Sequence, residues 1–127
     1  MEIRTHREID RLLCGNPLKV EAGMSQVKLV TTSEMAADVK GLVHGGFIFG
    51  SADYAAMLAV NDPNVVLGAA TVKFLEPVRV GDTLIMDAQV EEVSGRKHHV
   101  GVIAKKDETT VFKGTFTCFV LENPATS

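Results

Sequence analysis

Between Leu84 and Glu91 the chain alternates: Leu84, Met86, Ala88 and Val90 interleave with Ile85, Asp87, Gln89 and Glu91. A period of two puts the first set on one face and predicts a half-buried strand. The same alternation recurs from Thr109 to Leu121, where Phe112, Phe116, Cys118 and Val120 share one face and Lys113, Thr115 and Thr117 the other. Lys97 to Lys106 lies between them, bounded by turns at Ser94-Gly95-Arg96 and Asp107-Glu108. Connections this short predict an antiparallel meander. Val65 to Val78 is a further strand, leaving through Pro77 and a turn at Val80-Gly81-Asp82-Thr83. Upstream, Leu18 to Thr32 reads as strand, with a turn or bulge at Glu21-Ala22-Gly23. Thr31-Thr32-Ser33-Glu34 predicts a helical turn capped by Thr31 or Thr32, and Met35 to Val43 a loop. Ile3, Ile9, Leu12 and Leu13 among charges predict a short amphipathic helix over residues 2–13, closed by Cys14-Gly15-Asn16-Pro17.

The stretch from His44 to Asn61 follows a different rule. It opens on glycines, is almost wholly apolar, and is stopped by Asn61-Asp62-Pro63-Asn64. A helix apolar on every face is buried, so it must lie against the sheet. The predicted fold class is α+β: one long central helix wrapped by a five- to six-stranded antiparallel sheet. A single domain over 1–127 is expected, with a helical N-terminal segment at 1–16 and a flexible polar tail at 122–127. Inside this helix stands one acid, Asp53. A buried carboxylate costs several kcal/mol unless it is paired or has chemical work. Asp53 is therefore the leading catalytic candidate, the alternative being a structural acid satisfied by a cap or by a partner across an interface.

Composition narrows the remaining possibilities. With 127 residues, 46% hydrophobic and 23% charged, the chain fits one globular core. No run is long enough to span a membrane and no signal-peptide core opens the chain, so a cytoplasmic protein is expected. A net charge of −3 without a Lys/Arg cluster argues against nucleic-acid binding, though not against a local site for a small anion. Cys14 and Cys118 lack metal-ligand spacing, and reduced thiols are expected, Cys118 as a small core residue. Among His6, His44, His98 and His99 only the last two are adjacent, and no metal site is expected.

At the start of the long helix, free backbone N–H groups carry partial positive charge, and Gly45 and Gly46 let a ligand approach them. A carbonyl placed there would be polarised while a nearby carboxylate activates water or attacks directly. Asp53 lies seven residues after Gly46, about 10 Å along the helix, too far for both to meet one carbonyl carbon. Two antiparallel helices across a twofold axis would bring Asp53 of one subunit to the glycines of the other.

His44-Gly45-Gly46, Asp53 nine positions after His44, and Val72-Lys73-Phe74-Leu75-Glu76-Pro77-Val78-Arg79-Val80-Gly81-Asp82 resemble hotdog-fold acyl-CoA thioesterases of the phenylacetate-pathway and 4-hydroxybenzoyl-CoA type. The resemblance covers nearly the whole chain. It implies a homodimer with sheets joined edge to edge, such dimers often pairing into tetramers in the family, an acyl-CoA substrate, and no cofactor beyond the coenzyme A of that substrate. Many relatives carry Asn or Gln six residues before the histidine, where this chain has Asp38. A second carboxylate there could raise the pKa of Asp53, accept from water in place of the amide, or mark a branch that binds acyl-CoA without hydrolysing it.

His44 either caps and packs or contacts the thioester. Tyr54 and Ser51 are expected to pack or hydrogen-bond at an interface. Lys73, Arg79, Arg96 and Lys97 are candidate contacts for coenzyme A phosphates, each with solvated surface as its alternative. Phe47, Phe49, Phe74, Met57 and Met86 could line an acyl tunnel or simply form core. The expected function is hydrolysis of an acyl-CoA to coenzyme A and a carboxylic acid. Its rival is a non-catalytic acyl-CoA sensor. A related regulator joins this fold to a helix-turn-helix, but too few residues precede the first strand here for DNA regulation to be expected. A dehydratase is disfavoured, since no hydratase-type His/Asp pairing is present.

Overall fold

Six strands form one antiparallel sheet in the computed structural model, which describes residues 1–123. In chain order they are β1 (Asn16–Glu21), β2 (Met24–Val30), β3 (Val65–Phe74), β4 (Thr83–Ser94), β5 (Lys97–Lys106) and β6 (Thr109–Val120). Across the sheet they run β1-β2-β4-β5-β6-β3, so the predicted meander occupies its centre and β3 forms an edge. Gly95 (φ 60°) and Asp107 (φ 52°) open the two tight turns of the meander, where a left-handed residue matches the twist of the flanking strands.

One long helix, α2 (Gly45–Val60), lies across the inner face on β2, β4 and β5. Ala52, Ala55, Ala56 and Ala59 are buried, and such small side chains let the helix approach the sheet closely. Beneath it the period-two residues Leu84, Met86, Ala88, Phe112, Phe116 and Cys118 form the core. The helix ends at Asn61, whose left-handed backbone (φ 52°) lets its N–H donate to Met57 O at 2.8 Å. The Asn61 side chain then holds the N-terminal segment, accepting from Arg4 N and donating to Glu2 O, each at 2.8 Å. The arrangement is the hotdog fold, with six strands.

Three predictions need correction. The N-terminal helix is confined to α1 (Arg11–Cys14), capped by Asp10 Oδ1 on the N–H groups of Leu12 and Leu13. His6 has φ 52°, incompatible with a continuous helix, and the preceding residues are tied down as extended chain instead. The predicted Leu18–Thr32 strand is divided into a hairpin, β1 and β2: of the two alternatives at Glu21-Ala22-Gly23, the turn, through Gly23 (φ 78°), is the one present. Finally, the helical turn is a 3-10 turn, Ser33–Met35, without a side-chain cap. Thr31 instead donates its hydroxyl to Arg79 O and Asp82 O at 3.0 and 2.7 Å. Of the predicted flexible tail, residues 124–127 lie outside the described residues.

Gly15 joins α1 to β1 at φ 103°, and an added Cβ would meet Val27 Cγ1, itself in the core, at 2.5 Å. Gly15→Ala is expected to cost about 2–4 kcal/mol, combining backbone strain with overpacking. Urea unfolding checks this, and an unchanged midpoint would contradict the packing described here.

Candidate functional site

The chain before α2 is held at both sides. His44 N donates to Met35 O at 2.8 Å, and Val43 N donates to Val78 O at 2.8 Å. β3 therefore ends at Phe74 rather than Val78: Pro77 cannot donate to a ladder, and the chain beyond it pairs with the helix-entry loop, including an isolated bridge Leu42↔Arg79. This pairing fixes the first turn of α2 beside Phe74–Val78.

Two glycines open that turn, for different reasons. An added Cβ on Gly45 would lie 3.2 Å from Phe74 Cε1, and one on Gly46 would lie 3.0 Å from His44 Nε2. Phe74 thus covers one glycine and the exposed His44 ring folds over the other, meeting Phe47 edge-on at 6.2 Å between centroids. His44 occupies the N-cap position without a side-chain cap bond. Among the described residues, neither Gly45 N–H nor Gly46 N–H has a hydrogen-bond acceptor. Below them opens a cleft of about 370 Å³ between Leu42, Val43, Gly45 and Ile48 on one side and Phe74–Val78 on the other.

Two turns further along α2, Asp53 is largely buried, and its Oδ1 is enclosed without a partner among the described residues. Burial pushes its pKa up to about 6. Asp38 plays no part in that shift within the chain. It is exposed, and its Oδ1 accepts from Lys40 N and Leu42 N at 2.9 and 3.2 Å, ordering the loop that leads to the helix.

Residues 40–113, more than half of the chain, match the family described as the Thioesterase superfamily. The chain belongs to the thioesterase superfamily. It is 55% identical over 123 residues to methylthioribose-1-phosphate isomerase of Aquifex aeolicus, a match covering 96% of this chain and 27% of that protein. It is 32% identical over 109 residues to transcription factor FapR of Caldanaerobacter subterraneus, covering 85% of this chain and 54% of that one. The chain thus spans between about a quarter and a half of these curated relatives. Among solved structures, an uncharacterized protein from Pyrococcus horikoshii is 51% identical with a TM-score of 0.96, covering 98% of this chain and 95% of that one.

Within this superfamily member, the predicted site residues separate into groups. His44, Gly45, Gly46 and Phe47 come together at the helix start, with Arg79 on the segment bridged to Leu42. Arg79 N donates to Asp82 Oδ2 at 2.8 Å. Lys73 faces outward opposite Lys113, on the side of the sheet away from α2. Arg96 and Lys97 lie at the other end of the sheet, where Arg96 pairs with Glu122 at 2.8 Å and Lys97 Nζ stands 5.7 Å from the Phe119 ring. One chain does not bring these cations to the glycines.

Tyr54 and Ser51 are buried on α2, and neither hydroxyl has a partner of acceptable geometry among the described residues. Tyr54 lies near Arg11, whose charge partly offsets the upward pKa shift caused by burial. Of the possible tunnel residues, Met57 and Met86 are core and Phe49 packs on Phe116 at 5.4 Å, while Phe74 lines the cleft. Cys118 is buried, which pushes its thiol up to about 12 and makes it inert at neutral pH. The sequence reading missed Leu42, Leu75, Glu76 and Pro77 as cleft residues. Pro77 was the available signal, since it must end the ladder and turn the chain away.

Proposed function

We propose that the protein is an acyl-CoA thioesterase that hydrolyses its substrate to coenzyme A and a carboxylic acid. The observation that carries the reading is Asp53, whose carboxyl oxygen Oδ1 is enclosed without a partner among the described residues, on the helix whose first N–H groups are also unpaired there. Superfamily membership supports the same chemistry. The Gly45 and Gly46 N–H groups donate to the thioester carbonyl oxygen and stabilise the negative charge that develops on it, worth about 3 kcal/mol per donor in comparable sites. Asp53, ionised above pH 6, draws a proton from water as that water attacks, or attacks the carbonyl itself. His44 flanks the carbonyl, and Asp38 shapes the loop at the entrance.

Along one helix the acid and the amides stand about 10 Å apart, so each site is completed by a second subunit. The edge strand β3 supports this arrangement. Its only charged residue is Lys73, and Gly68, Ala69, Ala70 and Thr71 are exposed along it. An exposed apolar edge is a template for pairing with another strand, and a twofold axis through it would run the two α2 helices antiparallel.

A second reading, acyl-CoA binding without hydrolysis, draws on the likeness over 109 residues to a transcription factor. Release of coenzyme A, followed with a thiol reagent across short, long, aromatic and hydroxylated acyl-CoAs, separates the two. Turnover of at least one class is expected. Stoichiometric binding with no turnover would favour the second reading, and neither binding nor turnover would reject both.

A further inference from the structure

The cleft at the head of α2 has a one-sided chemistry. Its walls are the side chains of Leu42, Val43, Ile48, Phe74, Leu75 and Val78, and among the described residues that line it the only charged one is Glu76. Among the described residues of this chain, no lysine or arginine lines it. Arg79, the next residue along, lies outside the lining. The cleft meets Gly45, whose N–H is unpaired among the described residues; the Phe74 ring lies beside this glycine where a Cβ would stand, and is in turn met edge-on by Phe112 at 5.1 Å between centroids. Hydrogen-bond donors at one end and a hydrocarbon wall beyond them suit a polar carbonyl followed by an apolar tail.

We infer that this cleft seats an uncharged, apolar acyl group, and that Glu76 with the hydrocarbon walls excludes acyl groups ending in a carboxylate. The inference rests on the thioesterase reading and specifies its substrate. A terminal carboxylate entering the cleft would lose water without gaining a cation, and would approach a like charge at Glu76. A methyl terminus would instead bury apolar surface, each added methylene lowering KM about fourfold until the cleft is filled.

The experiment compares pairs of equal chain length: hexanoyl-CoA with adipoyl-CoA, and butyryl-CoA with succinyl-CoA. The readout is the ratio of kcat/KM within each pair, from which general losses of activity or folding cancel. The uncharged member is expected to be favoured at least about thirtyfold, with KM carrying most of the difference. Glu76→Gln is expected to narrow the ratio severalfold and Glu76→Lys to narrow it further. Parity, or preference for the carboxylated member, would overturn the inference while leaving the thioesterase reading intact. So would a ratio that Glu76→Lys leaves unchanged, since the acyl group would then lie elsewhere. If coenzyme A is released from none of the four, calorimetry with the same compounds reads the ratio in Kd. Discrimination there would uphold the cleft's selectivity and reject hydrolysis, and no binding would reject both.

Discussion

Asp53→Asn is expected to reduce the rate of coenzyme A release at least about a hundredfold and, at pH 8, to make the protein more stable. The two effects have one cause. The Asp53 carboxyl is pushed from an ordinary 3.8 up to about 6 because burial disfavours its charge and no group among the described residues compensates it. Between those pH values the folded chain holds a proton that the unfolded chain has released, so this group makes stability fall as pH rises from about 4 through about 6. Above that the whole penalty persists, about 3 kcal/mol for a shift of about two pH units. An asparagine carries no charge to bury and escapes the penalty, but cannot take a proton from water. The wild-type rate should therefore rise with pH through about 6, and thermal unfolding at pH 5 and pH 8 should show the variant's advantage mainly at the higher pH. A structural acid would behave in the opposite way, its loss lowering stability at pH 8 and sparing turnover. Turnover within a few-fold of wild type would remove Asp53 from the proposed mechanism.

Such an acid was legible in the sequence because α2 has no polar face on which it could be harmless. The strand pattern was equally legible where one face is buried: β5 and β6 start and end within a residue of their predicted spans, and β4 starts one residue before the Leu84–Glu91 alternation and runs three residues beyond it. Failures cluster where tertiary contacts override local pattern. Residues 2–9 carry charges and apolar positions compatible with a helix, yet Asn61 and the strand at Val20 anchor the start of the segment outside a helix, Val20 O accepting from the Met1 amino group at 2.9 Å. Phe74–Val78 continues the apolar run of β3, but the bridge to Leu42 draws it from the ladder and creates the cleft. The candidate cations show the same limit. Lys73 and Arg79 are six residues apart, yet the first is on the outer face of the sheet and the second by the helix entrance, because strand alternation and the turn after Pro77 send them to different surfaces. Spacing along a chain cannot report which sheet face a turn will choose.

Two inactive variants mixed together are expected to recover activity. Asp53→Asn removes the acid. Gly46→Val places a branched side chain where a Cβ alone would already lie 3.0 Å from His44 Nε2, closing the approach to the amide. If each site takes its amides from one subunit and its acid from the other, a mixed dimer holds one site with both defects and one with neither. Random pairing of equal amounts makes half of the dimers mixed, and half of their sites intact, so about a quarter of wild-type coenzyme A release should return. Subunits are exchanged by unfolding and refolding the two variants together, with each refolded alone as the control and circular dichroism verifying that both fold. A silent mixture of well-folded variants would mean that amides and acid work within one chain. That outcome would require α2 to bring groups about 10 Å apart to a single carbonyl carbon, which a continuous helix cannot do. The recovered fraction therefore tests the shared site independently of which acyl group the protein prefers, because donor, acid and subunit boundary are read from the same helix.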